Sequence, residues 1–367
     1  MTIVIKIGSN VVADERGAAR DAEVSGICSQ IARLHAAGDD VVLVTSGAIA
    51  RGMDMLGLEA RPNAMAELQA SSAVGQGKLY RYYDELLHGH GITTAQILLT
   101  FGDMSARSNY VNARQTLRKL LEWRVVPVIN ENDTTATDEI TFGDNDFLAA
   151  QVALLLKARL LVLATDIDGL YTADPAIDPA AEHIRRVDDF AALEQLQIGA
   201  SVSVTGSGGM ASKVVAAEMA TAGGVEVVVC NGLAEGTVCE AAAGAEVGTR
   251  FAPHDEPHSS FKLWLRHAKQ SRGRLTIDAG AERALREQGA SLLPVGITGV
   301  SGEFSAGDAV DVVVGGDGGA SRTVGKGIVS YSHEELSRIL GMKSGQVQQL
   351  MPRATDEAIH RDYLVLT

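Results

Sequence analysis

The stretch Phe142-Gly143-Asp144-Asn145-Asp146 joins a polar loop, Asn130-Glu131-Asn132-Asp133, to a predicted helix that runs from about Asn145 to Lys157. Comparable junctions recur along the chain, where apolar strands end in polar residues and glycine-rich loops begin helices. α/β proteins build phosphate and small-molecule sites at such strand ends and helix N-termini. The stretch therefore predicts an α/β enzyme that binds a nucleotide and a small polar substrate.

Apolar, β-branched segments alternate with helical segments over roughly the first two thirds of the chain. The predicted strands are Ile3–Ile7, Val41–Thr45, Thr94–Leu99, Val125–Ile129, Leu160–Ala164 and Val225–Cys230. The predicted helices are Asp21–Ala37, Lys78–His88, Arg107–Trp123, Asn145–Lys157 and Gly209–Ala222. Most of the strands lack an alternation of apolar and polar residues, which is typical of a sheet covered on both faces. We therefore predict an α/β fold with a mostly parallel sheet sandwiched by helices.

This pattern ends near residue 250, where a segment with Pro253 and Pro257 predicts a connection. The strands predicted beyond it are Arg274–Ile277, Leu292–Thr298, Ala309–Val314 and Thr323–Val329, with one helix near Ser332–Leu340. We therefore predict two domains, residues 1–258 and residues 273–367, of which the second is small and β-rich.

The composition is that of a globular protein, because 46% of the residues are hydrophobic and 21% are charged. The net charge of −14, almost all of it in residues 1–267, argues against broad binding to nucleic acids or membrane surfaces. The three cysteines form no metal-spaced pair, and the first residues lack the features of a signal peptide. We expect a cytoplasmic enzyme that does not enter a membrane.

Two motifs at the ends of the first strands could bind an anion. Lys6 precedes Gly8, and a lysine at a strand end can reach a phosphate group. Considered alone, however, Lys6 is better interpreted as a lysine that extends from the sheet edge to solvent. Ser46 and Gly47 begin a helix, and the small residues around them could form an anion-binding nest; simple capping by Ser46 is the other interpretation, and the two do not exclude each other.

The loop from Asn130 to Asp133 combines two carboxylates with two carboxamides, a set that suits an ammonium group or a zwitterion. Its alternative interpretation is a solvated loop of Asx turns, but its position after a strand favours a binding site. Asp144 could cap the helix that follows, with acidic residues near the positive end of the helix dipole. That role does not account for Asn145 in the same segment.

Two later motifs predict nucleotide contacts. Thr165-Asp166 ends a strand and leads to Asp174-Pro175, a segment that could hold a purine or a ribose. Gly206-Ser207-Gly208-Gly209-Met210 begins a helix that carries Lys213, which places backbone donors and a cation at a helix N-terminus. The spacing is neither that of a P-loop nor that of a dinucleotide fingerprint. A flexible loop before an amphipathic helix is the alternative for the glycines.

Taken together and in this order, the motifs resemble the amino-acid kinase family, and within it the kinases that phosphorylate L-glutamate. The residues that carry the resemblance are Lys6–Ser9, Thr45–Ile49, Val74–Gln76, Ile129–Asp133, Phe142–Asp146, Thr165–Pro175 and Gly206–Lys213. The segment Gly289–Ile297 is similar to part of a PUA domain. Asn10 and Ser207 stand where the resemblance leads us to expect serine and threonine.

The resemblance implies transfer of the γ-phosphoryl group of ATP to the side-chain carboxylate of L-glutamate, with Mg²⁺ accompanying the nucleotide. The residues that it assigns to catalysis are Lys6, Lys213 and Asp146. The residues that it assigns to glutamate are Ser46, Gly47, Asp133 and Asn145. Those that it assigns to ATP are Lys6, Thr165, Asp166, Ser207, Gly208, Gly209, Met210, Ala211, Ser212 and Lys213. It assigns no metal ligand.

The resemblance also implies feedback inhibition by proline, a homo-oligomer and handover of the product to a glutamyl phosphate reductase. Two alternatives stay open. Related kinases with the same fold act on carbamate, acetylglutamate, nucleoside monophosphates or isopentenyl phosphate. A PUA-like tail could instead belong to an RNA-binding regulatory protein, although the nearly neutral charge of the tail gives no basic footprint for RNA.

Overall fold

The computed structural model describes residues 1–13, 20–100, 103–104, 107–135, 145–173, 175, 177–190, 193, 209–253, 265, 271–316, 319–350 and 357–366. The chain divides into two compact units, Met1–Pro257 and His258–Thr367. The domain limits 258 and 273 stay a prediction, because most of the chain between them lies outside the described residues.

The first unit contains ten strands among its described residues: β1 (Thr2–Ile7), β2 (Asp40–Val44), β3 (Thr94–Leu99), β4 (Val126–Glu131), β5 (Leu160–Thr165), β6 (Leu170–Tyr171), β7 (His183–Ile184), β8 (Arg186–Val187), β9 (Glu226–Asn231) and β10 (Thr249–Phe251). Eight of them form one sheet in the order β3-β4-β2-β1-β5-β9-β10-β8, and β6 pairs with β7 in a small hairpin. Neighbouring strands of the large sheet run parallel, except β9 and β10. β2 and β5 lie on opposite sides of β1, and at such a point open α/β sheets bind ligands beyond the carboxyl ends of the strands.

Helices cover both faces of this sheet. They are α1 (Ser9–Val12), α2 (Asp21–Ala36), α3 (Ala48–Leu56), α4 (Met65–His88), α5 (Arg107–Glu122), α6 (Asp146–Leu156), α7 (Met210–Ala222) and α8 (Thr237–Ala243). Ile3 and Val4 point to opposite faces of β1, and both are fully buried. The predicted α/β sandwich is therefore confirmed. Within the described part of the chain, no helix has the length and apolar character needed to cross a membrane.

The second unit has its own five-stranded sheet and its own core. Its strands, in the sheet order β12-β11-β13-β14-β15, are β11 (Ser271–Ile277), β12 (Ile297–Gly302), β13 (Ala309–Gly316), β14 (Gly319–Ile328) and β15 (Leu364–Leu366). Its helices are α9 (Ala279–Gln288), α10 (His333–Ile339) and α11 (Ser344–Leu350), with 3-10 turns at Pro294–Gly296 and Arg361–Tyr363. The β-rich character of the tail is confirmed.

Two of the predicted elements differ from the structure by five or more residues at their start. The strand predicted at Leu292–Thr298 is instead a 3-10 turn followed by β12, because Pro294 has no amide hydrogen for a strand ladder. The helix predicted from Lys78 begins at Met65. Gly75 and Gly77 lower the helix propensity of its first half, so sequence alone favoured a later start.

Gly75 is needed where α3 and α4 pack closely together. A β-carbon added at Gly75 would lie 2.0 Å from the carbonyl oxygen of Ala48 and 2.4 Å from the nitrogen of Gly52. A β-carbon added at Gly52 would lie 1.7 Å from the carbonyl oxygen of Ser71. Neither contact leaves room for a side chain. These two glycines therefore set the distance between the helices, and α3 begins directly at the polar residues that follow β2.

We expect Gly75→Ala to destabilise the protein, because the new methyl group would force the backbones of α3 and α4 apart. Overpacking of this kind costs about 1–3 kcal/mol, so the midpoint of thermal unfolding should fall by several degrees. Gly77→Ala is the matched control on the same helix, because a β-carbon at Gly77 meets nothing within 4 Å. It should leave the midpoint unchanged or raise it, since alanine favours a helix over glycine. Equal midpoints for the two variants would contradict the close packing.

Candidate active site

The carboxyl ends of the central strands lie side by side at one edge of the sheet. Backbone pairing aligns Lys6 of β1 with Val44 of β2 and Leu163 of β5, and it aligns Thr165 of β5 with Asn231 of β9. The polar segments predicted to bind ligands follow these ends, at residues 8–10, 45–47, 130–133 and 165–166. The fold thus brings together motifs that are far apart in sequence.

A buried ion-pair cluster, formed by Lys6, Asp146 and Lys213, lies at this edge. The Nζ of Lys6 is 2.8 Å from Oδ1 of Asp146, and the Nζ of Lys213 is 3.2 Å from Oδ2. Ser212 Oγ also donates a hydrogen bond to Oδ2 of Asp146, at 2.9 Å. Lys6 and Asp146 are fully buried, and Lys213 is 4% exposed. Three elements, β1, α6 and α7, each supply one of the three charges.

The charges of this cluster sum to one positive charge in a chain whose net charge is −14. Burial tends to raise the pKa of Asp146, but the charges of Lys6 and Lys213 and the hydrogen bonds from Lys6 and Ser212 lower the pKa to about 2. Asp146 is therefore ionised at neutral pH, and it holds two ammonium groups in place. A desolvated positive site at strand ends suits a phosphoryl group.

The interpretation of Lys6 as a solvent-exposed edge lysine is wrong. Its strand lies in the middle of the sheet, between β2 and β5, and its side chain is fully buried beside Asp146. The error has a physical reason: the partner carboxylate is far away in sequence, so the pattern around Lys6 does not reveal it.

The segment after β5 forms a second part of the site. Thr165 Oγ1 donates to Oδ1 of Asp166 at 3.1 Å, and Asn10 Nδ2 donates to Oδ2 of the same carboxylate at 3.0 Å. Asn231 Nδ2 donates to Oδ1 of Asp168 at 2.9 Å. Asn10 and Asn231 were not among the predicted site residues, although Asn10 lies in α1, shortly after β1, and Asn231 ends β9. They hold the two carboxylates of this segment in place.

Asp133, after β4, is the carboxylate of a separate part of the site. It accepts a hydrogen bond from Oγ of Ser72, which lies on α4. Burial raises the pKa of Asp133, while the hydrogen bond from Ser72 and the positive charge of Arg61 act in the opposite direction. A carboxylate in such a place gains from a positively charged ligand, because the ligand would compensate for its lost hydration.

Three side-chain amides form a hydrogen-bonded chain beside Asp133. Asn145 Nδ2 donates to the backbone oxygen of Thr45 at 2.5 Å and to Oδ1 of Asn130 at 2.7 Å. Asn130 Nδ2 donates in turn to Oε1 of Gln76 at 2.5 Å. This amide chain connects the ends of β2 and β4 with α4 and α6. Gln76 and Ser72 were not predicted as site residues.

Ser46 and Gly47 lie where α3 begins. Gly47 is the N-cap residue, with a φ of 105° that favours glycine, so the interpretation of Ser46 as the cap is wrong. Ser46 is 6% exposed and directly follows Thr45, whose backbone oxygen accepts a hydrogen bond from Asn145. The turn thus places Ser46 next to the residues that hold Asn145.

The helix α7 begins where its glycine-rich motif predicts. Gly209 is the N-cap residue of α7, Met210 and Ala211 are its first residues, and Gly209 has open space around its α-carbon. Backbone amides at such a helix start can bind phosphate oxygens. Ser207 and Gly208 lie outside the described residues, so their assignments stay predictions. Asp144 lies outside them too, but the N-cap residue of α6 is Asn145, so the interpretation of Asp144 as the cap is wrong.

Among the residues that the structure describes, no group of three or more His, Cys, Asp or Glu side chains is arranged to hold a metal ion. Asp146 already has both oxygens engaged by lysine and serine groups.

Comparisons with known proteins identify the family of this chain. The amino acid kinase family model matches residues 1–231, and the PUA domain model matches residues 273–351. A protein named glutamate 5-kinase from a Synechococcus species is 46% identical over 100% of this chain and 98% of its own length. Another of that name, from Meiothermus ruber, is 44% identical over 99% of this chain and 95% of its own length. The crystal structure of a UMP kinase from Bacillus anthracis is 16% identical, covers 69% of this chain and 96% of its own, and has a TM-score of 0.49. Since relatives of more than 40% identity span the whole chain, it belongs to the amino acid kinase family, in the group of proteins named glutamate 5-kinase.

Proposed function

We propose that this protein is a glutamate 5-kinase, which transfers the γ-phosphoryl group of ATP to the side-chain carboxylate of L-glutamate in the first step of proline synthesis. The observation that carries the proposal is the buried cluster of Lys6, Asp146 and Lys213 at the strand ends. Its surplus positive charge lies between the segment after β5 and the carboxylate Asp133. ATP would occupy the first side and the amino acid the second.

Phosphoryl transfer depends on positioning and on stabilisation of charge. Lys6 and Lys213 would stabilise the charge on the transferring phosphoryl group, and Asp146 would hold both ammonium groups in a fixed place. The acceptor is a carboxylate that is ionised at neutral pH, so no general base is required. Thr165, Asp166 and the start of α7 would hold the nucleotide. Mg²⁺, when bound with ATP, would neutralise part of the phosphate charge.

The substrate side offers groups that suit an amino acid. Asp133 is a partly desolvated carboxylate, which matches the ammonium group of L-glutamate. Ser46, Gly47 and Asn145 lie at the adjoining strand and helix ends and would complete this subsite.

The experiment that tests the proposal is ADP release by the purified protein with ATP and Mg²⁺, compared between four acceptors. We expect turnover with L-glutamate, and much lower rates with L-aspartate, N-acetyl-L-glutamate and UMP. Turnover with acetylglutamate or UMP, and none with L-glutamate, would replace the proposal by another kinase of the same fold.

The ionisation of Asp133 should appear in the pH profile of kcat/KM for L-glutamate. Because burial raises the pKa of Asp133, its charged form should be lost at a higher pH than for an exposed aspartate, and kcat/KM should fall on the acid side. The hydrogen bond from Ser72 stabilises the charged form, so Ser72→Ala should raise the pKa further and move this acid limb to higher pH. In Asp133→Asn, the pH profile of kcat/KM should lack this acid limb altogether. An unchanged limb in both variants would remove Asp133 from the glutamate subsite.

Proline, as the end product, is proposed to inhibit by occupying the amino-acid subsite, because its ammonium and carboxylate resemble the α-end of glutamate. Millimolar proline should inhibit, and saturating L-glutamate should relieve the inhibition. Inhibition that L-glutamate does not relieve would place proline elsewhere. A homo-oligomer, a cytoplasmic location and handover of the product to a glutamyl phosphate reductase are further parts of the proposal.

A further inference from the structure

The amide chain of Asn145, Asn130 and Gln76 allows only one orientation of its three side chains. The backbone oxygen of Thr45 can only accept a hydrogen bond, so the atom of Asn145 that lies 2.5 Å from it must be the amide nitrogen. The same nitrogen faces Asn130 at 2.7 Å, so Asn130 must present its oxygen there. The nitrogen of Asn130 then points to Gln76, which must present Oε1. A backbone atom thus fixes the orientation of Gln76 through two intervening amides.

This orientation gives the two ends of the amide chain opposite hydrogen-bonding character. Asn145 directs its Nδ2 to Thr45 and Asn130, which leaves Oδ1, an acceptor, at its end of the chain. Gln76 directs its Oε1 to Asn130, which leaves Nε2, a donor, at the other end. Within the described part of the chain, Nε2 of Gln76 forms no hydrogen bond. This unengaged donor, next to Asn130, is available to an acceptor on a bound ligand.

Gln76 also lies on the same face of α4 as Ser72. The two residues are four positions apart on one helix, which places their side chains one above the other, about 5–6 Å apart. Ser72 holds the carboxylate of Asp133, which accepts, and Gln76 offers Nε2, which donates. An α-amino acid carries a donor-only ammonium and an acceptor-only carboxylate on a single carbon atom. The acceptor that Ser72 holds and the donor on Gln76, one helical turn apart, match that pair of groups.

We propose that Gln76 is a specificity-determining residue, whose Nε2 donates to the α-carboxylate of the amino-acid substrate while Asp133 and Oδ1 of Asn145 accept from the ammonium group. This inference rests on the proposed function, because it places an amino acid in the subsite. The side-chain carboxylate of the substrate then extends away from α4, towards the cluster of Lys6, Asp146 and Lys213. The orientation of the amide chain is therefore a device that selects a free α-carboxylate.

Gln76→Glu tests this role with almost no change of shape. One carboxylate oxygen of the new glutamate can still accept a hydrogen bond from Asn130. The other oxygen, which is negatively charged and cannot donate, takes the place of Nε2. A hydrogen bond to a charged group contributes about 1.5–3 kcal/mol, so the KM for L-glutamate should rise by roughly 10- to 100-fold or more. The KM for ATP should change by no more than about twofold. Gln115→Glu adds the same charge at an exposed position on α5 and should leave both KM values unchanged.

Gln76→Ala separates this role from a structural one. If Gln76 only supports Asn130, the alanine variant should be the more impaired, because it loses the bond that the glutamate variant keeps. The proposed role predicts the opposite order, with a lower kcat/KM for L-glutamate in Gln76→Glu than in Gln76→Ala. The α-amide of L-glutamate has no negative charge at this position. Its kcat/KM should therefore fall less between wild type and Gln76→Glu, with a fold-decrease at least about tenfold smaller than that for L-glutamate. Circular dichroism and thermal midpoints check that both variants are folded.

The outcomes separate the inference from the proposed function. If the wild-type protein releases no ADP with L-glutamate, the proposed function fails, and the inference fails with it. If the wild-type protein uses L-glutamate but Gln76→Glu keeps a normal KM, or Gln76→Ala is the worse variant, the inference alone is overturned. A raised KM for L-glutamate with a spared α-amide supports it.

Discussion

Lys213→Met should lower kcat by about 10²-fold or more while the protein stays folded. Loss of a preorganised charge that stabilises a transition state has an effect of this size. Methionine has a similar length and adapts to its surroundings, so it limits the cavity that alanine would leave. Asp146 would still be paired with Lys6, at 2.8 Å. Steady-state ADP release at saturating ATP and L-glutamate measures the effect, and Lys6→Met should behave in the same way.

The matched control for these variants is Lys119→Met. Lys119 is an exposed lysine on α5 whose partner is Glu122, and surface pairs of this kind contribute little. Its kcat should equal that of the wild-type protein. A normal kcat in both Lys6→Met and Lys213→Met would exclude the proposed catalytic cluster.

Asp146→Asn should have the largest effect on stability. It removes the only negative charge of the cluster and leaves two ammonium groups beside a neutral amide. Breaking a buried pair from one side costs about 3–5 kcal/mol, which chemical denaturation at neutral pH can measure. At neutral pH the variant should lack the whole stabilising contribution of Asp146. Because the pKa of Asp146 is depressed, the ionised carboxylate stabilises the wild-type protein fully above the ordinary aspartate range. This stabilisation disappears only as the pH falls through about 2.

A second substitution checks the electrostatic origin of this loss. Adding Lys213→Met to Asp146→Asn returns the cluster to one positive charge, as in the wild-type protein. The double variant should regain part of the lost free energy of unfolding but none of the activity. If charge repulsion is not the cause, the two substitutions should destabilise independently. A double variant that is less stable than Asp146→Asn, by as much as Lys213→Met alone destabilises the wild-type protein, would therefore contradict charge repulsion.

The sequence allowed the fold class and the location of the site to be predicted, because both follow from local patterns. Buried strands such as Leu160–Thr165 lack alternation, and strand ends such as Thr165-Asp166 carry the polar residues. Parallel pairing then brings these ends together at one edge of the sheet. No contact between distant residues had to be known for this step.

The partners of individual side chains could not be predicted in the same way. The burial of Lys6 depends on Asp146. The orientation of Gln76 depends on Asn130 and on the backbone oxygen of Thr45, which follows β2. These contacts join segments that are 54 to 140 positions apart, so only the folded structure reveals them. The spacing of Ser72 and Gln76, four residues apart on one helix, was the one local signal that could have indicated their shared face.

The most direct test of the account is to trap the product with hydroxylamine, which converts an acyl phosphate to a stable hydroxamate. With ATP, Mg²⁺ and L-glutamate, we expect the γ-hydroxamate of glutamate to form in proportion to ADP, and to fall by about 10²-fold or more in Lys213→Met. ADP release without any hydroxamate, or a hydroxamate at the α-carboxylate, would contradict phosphoryl transfer to the side chain of L-glutamate.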